Sequence, residues 1–197
     1  MAITDAADLR GFRRQRLLWS YGLGDAGTGM AASLIGFYLF IFYTAAAGLP
    51  PWMAGLVLMI ARLWDALNDP LVGWLSDKTT TRWGPRIPWI LACAIPLGAA
   101  MAGMWWLPPG PVWVKFAVFV AISIGANTLY TCVNLPYAAL AAELTTDVRL
   151  RTRLNTVRFT GSILASLLGI VIGALLLGDH DNPAKYWQMG ILSGVVV

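Results

Sequence analysis

Residues 53–77 read MAGLVLMIARLWDALNDPLVGWLSD. A helix of about 25 residues rises about 37 Å, enough to cross the ~30 Å hydrocarbon core of a bilayer. Arg62, Asp65 and Asp69 interrupt the apolar run well inside it. Each such charge costs roughly 2.5–3.5 kcal/mol at a helix centre, so it needs a partner or a cavity. Asp65 and Asp69 lie about 40° apart around a helix, with Arg62 and Asn68 within about 60° on either side of Asp65. All four are expected on one face. Two carboxylates and an amide oxygen can ligate a sodium ion or take up a proton. The plainer alternative is an Arg–Asp pair that only locks helices. One guanidinium does not neutralise two carboxylates, so a cation site is the better reading.

The rest of the chain fits a membrane setting. Of its 197 residues, 58% are hydrophobic and 12% charged, against a charged share of about 25% in soluble domains. Disorder, collagen-like repeats and a secreted disulfide scaffold are excluded. The fold class is all-α membrane protein, with six spans: Leu17–Tyr43, Met53–Leu75, Pro88–Trp106, Trp113–Leu140, Leu154–Leu177, and a sixth from Tyr186 to the last residue, Val197. The sixth holds about twelve residues where about twenty are needed, so the chain reads as the front of a longer protein. Residues 1–16 have no signal-peptide core and read as a cytoplasmic tail; 17–197 form the membrane domain.

Orientation follows from the basic residues. Arg10, Arg13, Arg14, Arg16, Lys78, Arg82, Arg86, Arg149, Arg151 and Arg153 fall on one side, Lys115 and Lys185 on the other. That split places the amino terminus in the cytoplasm and the protein in the cell membrane. It also disposes of a nucleic-acid partner, although the net charge is +4. Cys93 and Cys132 read as reduced packing residues. Trp52, Trp105, Trp106, Trp113 and Trp187 read as an interfacial belt, and His180, between Asp179 and Asp181, as an exposed loop residue.

Polar residues recur in other spans. Span 1 carries Asp25 and Thr28, and span 5 carries Arg158. Span 4 carries Asn127, Tyr130, Thr131 and Asn134 at helical spacing. Such a face suits a sugar, whose hydroxyls need donors and acceptors and whose ring stacks on an aromatic such as Tyr130 or Tyr137. Interhelical bonding alone would also account for single members of the group. In the loop GWLSDKTTTRWGPR (73–86), Asp77, Lys78, Arg82 and Arg86 sit at the cytoplasmic surface. A gating role would come from Asp77 pairing across to another helix end.

Four stretches together resemble one family. RLWDALNDPLVGWLSDKTTTRWGPRIPW (62–89) is similar to the helix-2 and loop signature of glycoside–pentoside–hexuronide:cation symporters, the melibiose-permease-like branch of the major facilitator superfamily. YGLGDAGTGM (21–30), NLPYAALAAELTTD (134–147) and RLRTRLNTVRF (149–159) resemble the same family in the same order. The resemblance implies twelve helices in two halves, this chain matching the first, with substrate between the halves. It implies Asp65, Asn68, Asp69 and Thr131 as ligands of a coupling Na+, H+ or Li+. It also implies Asp25, Thr28, Asn134 and Arg158 in the sugar pocket. The melibiose carrier has a Lys-Asp pair where this chain has Thr28-Gly29, an Asp in place of Asn134 and a Trp in place of Ala138. Coupling is therefore expected to be retained and the sugar to differ.

The expected function is cation-coupled sugar symport by alternating access, with no cofactor beyond the cation. The expected partners are a sugar or glycoside, the bilayer and a missing carboxy-terminal half. Alternatives are a lysolipid:sodium symporter, which needs an apolar groove, and a half-length protein that does not transport. An enzyme is disfavoured: membrane phosphotransferases need an Asp-Gly pair and an Arg in an order absent here.

Overall fold

The computed structural model describes residues 12–82, 84–177 and 183–197; most of the amino-terminal tail and the segment around His180 lie outside the described residues. The elements are α1 (Phe12–Leu23), α2 (Ala26–Ile41) with a π-helical turn Phe42–Ala46, α3 (Pro51–Lys78), α4 (Ile87–Gly103), α5 (Val112–Leu144), α6 (Val148–Leu176) and α7 (Pro183–Val196). α1 and α2 are one rod broken at Gly24-Asp25, so these elements make six rods for the six expected spans. No strand occurs among the described residues.

Three segments, Gln15–Ala46, Val112–Leu144 and Val148–Leu176, are long and apolar enough to cross a bilayer, and the protein is an integral membrane protein. α3, with 28 residues, is long enough but carries the charges described above. α4 and α7, with 17 and 14 residues, are shorter.

Local chemistry sets the boundaries. Pro51 begins α3 and Pro88 lies in the first turn of α4, where a missing N–H leaves nothing unpaired. Gly48, with φ of 70°, turns the chain between span 1 and α3. Asp147 caps α6 by accepting the Arg149 N–H at 2.9 Å. That cap corrects one expectation. The stretch between the expected fourth and fifth spans, Leu140 to Leu154, is helical except at 145–147, because α5 runs to Leu144 and α6 starts at Val148. Arg151 reaches back to the carbonyls of Ala142 (3.3 Å) and Thr145 (3.1 Å), groups that the end of α5 leaves without helical partners.

Small residues bring the rods close. α2 lies on α6, where Ser166 donates to the Gly29 carbonyl at 2.9 Å and Tyr38 to that of Ile170 at 2.7 Å. α4 meets α7 backbone to backbone: a Cβ at Gly98 would stand 2.6 Å from the Gly194 carbonyl oxygen. Without a hydrophobic force between helices in lipid, such close approach is a main source of association.

Two apolar clusters bracket the bundle. Phe42, Tyr43, Trp105, Phe119 and Tyr186 fill one end, with Phe42 within 6 Å of the other four rings. Trp105 is therefore a core residue, 1% exposed, while Trp52, Trp106, Trp113 and Trp187 stay at the surface as a belt requires. Tyr21, Ala141, Leu150 and Leu154 form the smaller cluster, packed by α1, α5 and α6. Asp25, Thr28, Asn68, Thr131 and Arg158 are buried polar residues, none more than 6% exposed.

Candidate functional site

The break in span 1 positions the first group. Gly24 and Asp25 form a two-residue turn between α1 and α2, which restarts at Ala26. The Asp25 carboxylate makes no cap; it faces inward. Arg158, nearly three turns into α6, meets it across the bundle. Arg158 Nε lies 3.0 Å from Asp25 Oδ2, an ion pair without hydrogen-bond alignment. Nη2 lies 3.4 Å from Oδ1. Thr28 Oγ1 sits within bonding distance of the Asp25 main-chain oxygen (3.0 Å) and of Oδ1 (3.1 Å).

α5 supplies the bridge. The Asn134 carbonyl oxygen accepts from Arg158 at 3.2 Å, and its amide nitrogen donates to Asp25 Oδ1 at 3.3 Å and to the Tyr130 hydroxyl at 3.1 Å. These bonds use both amide hydrogens and fix which end of the side chain faces which partner. The reversed amide would press its NH2 against a guanidinium.

On the far side of Asn134 lies a cavity of about 210 Å³ lined by Arg62, Asp65 and Asp69 of α3 and Tyr130, Thr131, Asn134 and Leu135 of α5. The helical rule thus places both acids and Arg62 together, as expected. Arg62 pairs with Asp65 only loosely, at 3.6 Å, with its side chain 83% exposed. Asp69 instead accepts from the buried Thr131 hydroxyl at 2.9 Å. Asn68 departs from the expectation. It is 4% exposed, does not line the cavity, and its Nδ2 has no partner. The reason is angular: Asn68 sits about 100° from Asp69, on the buried stripe of α3 that includes Ala61, Val72 and Ser76.

The aromatic candidates separate. Tyr130 lines the cavity, whereas the Tyr137 ring is stacked on Tyr21 at 4.9 Å. Asn127 is half-buried and joins neither group, while its neighbour Thr128 accepts from Trp64 Nε1 at 2.9 Å.

At the basic end, Arg86 joins three helix ends. It bonds Asp77 of α3 at 3.1 Å and forms a close ion pair with Glu143 of α5. Asp77 thus does pair across to another helix, and Glu143 is the member that sequence reading missed, though the polar end of NLPYAALAAELTTD carried it. Arg82 is exposed in the loop beside Thr79, Thr80 and Thr81.

Comparison with known proteins gives this arrangement a context. The chain matches the family described as MFS/sugar transport protein over residues 20–196. It is 41% identical over 185 residues to an uncharacterized symporter of Synechocystis sp., covering 90% of this chain and 34% of that protein. It is 32% identical to sodium-dependent lysophosphatidylcholine symporter 1-A of Danio rerio, covering 88% of this chain and 33% of that protein. It is 30% identical to the isoprimeverose transporter of Lactiplantibacillus pentosus, covering 91% and 38%. All three names describe transport, not catalysis. The chain spans between a third and two fifths of the length of these relatives. A match over nearly the whole chain and three symport or transport relatives leave one placement: the chain belongs to the MFS/sugar transport protein family.

Proposed function

We propose that the chain is the amino-terminal half of a carrier that moves a neutral sugar or glycoside together with one monovalent cation, by alternating access. The observation that carries this reading is Asn134, which touches the buried Asp25–Arg158 pair on one side and lines the carboxylate cavity on the other. Residues 17–197 would be its membrane domain and residues 1–16 its cytoplasmic tail.

The charges support the stoichiometry. Asp25, Asp65 and Asp69 oppose Arg62 and Arg158, a net charge of −1 across site and cavity. One Na+ or H+ brings that to zero, and a neutral substrate keeps it there. An anionic sugar would leave an uncompensated charge in a low-dielectric site. No third acid, cysteine or histidine joins Asp65 and Asp69 among the described residues, which suits an alkali ion or a proton better than a divalent ion. Asp65, Asp69 and the Thr131 hydroxyl would hold the cation. Arg158, Asp25, Thr28, Asn134 and Tyr130 would face the sugar. Asn68 would join the cation only by turning its unpartnered amide out of the α3 stripe.

Coupling follows from shared groups. The cation screens Asp65 from Asp69, and α5 carries both Thr131 and Asn134, one turn apart. Seating the cation therefore orders the helix face that meets the sugar. Arg86, with Asp77 and Glu143, would hold three helix ends together at the cytoplasmic side, with Arg82 beside them. Asp69→Asn tests the assignment: cation-stimulated uptake should vanish, and stimulation equal to that of the unaltered protein would refute it.

A lysolipid substrate is the second reading, favoured by one feature. An apolar groove of about 210 Å³ between α1 and α6 is lined by Trp19, Leu23, Val157 and Leu164. Competition decides: sugars displacing the transported substrate support the first reading, lysolipids the second.

A further inference from the structure

Tyr21 and Tyr137 are absorbed by neither the cation cavity nor the sugar contacts, yet they make the most reciprocal contact in the bundle. The Tyr21 hydroxyl donates to the Tyr137 carbonyl at 3.1 Å, and the Tyr137 hydroxyl donates to the Tyr21 carbonyl. Their rings stack at 4.9 Å and 10°. The Tyr21 carbonyl lies one turn before Asp25, where span 1 breaks. The Tyr137 ring also lies 5.3 Å from the Arg158 guanidinium. A Cβ at Gly24 would come within 2.9 Å of Tyr137 Cζ; the glycine at the break is where the tyrosine fits.

We propose that Tyr21 and Tyr137 form a clasp that holds the break in span 1 open against α5 and so aims Asp25 and Arg158, making Tyr137 a positioning residue for substrate binding. The inference rests on the reading of Arg158 as a substrate-facing group. Its physical content is simple. A helix break inside a bilayer needs its freed backbone groups satisfied, and the Tyr137 hydroxyl bonds a carbonyl in the last turn before it. The ring beneath Arg158 meanwhile restricts the guanidinium to the side facing Asp25 and Asn134.

The test compares Tyr137→Phe with Tyr38→Phe in the full-length protein. Both lose a tyrosine-to-carbonyl bond joining span 1 to a neighbour, but Tyr38 bonds Ile170 at the other end of span 1. Tyr137→Phe should raise the KM for sugar uptake roughly three- to tenfold, the size of one net hydrogen bond, with Vmax and the sodium activation constant held within about twofold. Amide hydrogen exchange at residues 22–27 should accelerate by a similar factor, and Tyr38→Phe should change neither quantity. Tyr21→Phe, which keeps the Tyr137 bond, should fall between. Exchange at 22–27 that is unchanged in Tyr137→Phe, or equally faster in Tyr38→Phe, overturns the clasp. If the unaltered protein moves no sugar, the symport reading fails, and the exchange measurement alone then decides the clasp.

Discussion

Asp25→Asn leaves Arg158 buried with its charge uncompensated. Both side chains are 7% exposed in the native pair, so water does little to replace the lost carboxylate. Removing one partner of a buried pair costs about 3–5 kcal/mol. The lower end applies, because Arg158 keeps the Asn134 oxygen at 3.2 Å and the Tyr137 ring at 5.3 Å. For a chain of this size about 3 kcal/mol corresponds to a fall of about 6–12 °C in melting temperature, read by intrinsic fluorescence on heating. The double variant Asp25→Asn/Arg158→Gln removes both charges and leaves two amides that can bond each other. It should regain at least half of the lost stability, since most of the single-variant loss is the orphaned charge. A fall of less than about 2 °C in the single variant, or losses that simply add in the double, would refute the account of Asp25 as the counter-ion of Arg158.

Two further outcomes follow from distances already given. Thr131→Ala should weaken cation activation about three- to tenfold, the size of one hydrogen bond, and Thr131→Ser, which keeps the hydroxyl near Asp69, should restore most of it; dose curves for sodium measure both. Gly98→Leu should separate α4 from α7, because the obstructing atom is the Gly194 carbonyl, 2.6 Å from a Cβ there. A loss of about 2 kcal/mol or more is expected from such overpacking, while Gly103→Leu, with nothing within 4 Å of a Cβ, should cost far less; thermal melts compare the two.

Membrane class and rod number were legible in the sequence because both rest on composition and on length. The carboxylate pair was legible because α3 is a regular helix between Met53 and Asp69, and helical arithmetic then suffices. Asn68 shows where that arithmetic stops. Its angle from Asp65 is small, but Asn68 lies on the buried stripe of α3 and half-buried Asp65 at the stripe's border, and only the packing around α3 decides where that border falls. Arg158 and Asp25 could be marked as charges in lipid, but their pairing joins residues 133 positions apart and has no local signature. Glu143 and Trp105 failed for a related reason. Each lies at a rod end, where sequence alone does not separate an exposed collar from a buried contact.

What the three polar elements share is irregularity. Asp25 sits at the break between α1 and α2, Asp69 directly before Pro70 inside α3, and Asn134 two residues before Pro136 inside α5. Each proline removes one N–H from its helix and frees the carbonyl four residues earlier, that of Ala66 and of Cys132. In hydrocarbon such freed groups are tolerated only where protein or a water-bearing cavity covers them. These three interruptions lie beside the residues Asp65, Asp69, Thr131, Asn134 and Arg158, which already require polar surroundings, whereas Pro96 interrupts α4 outside that group. A helix weakened beside its polar groups can also bend there at low cost. On the proposed reading, the residues that would hold a cation thus lie where the rods can flex, and a cation joining Asp69 and Thr131 would stiffen α3 against α5 across the two weakened turns.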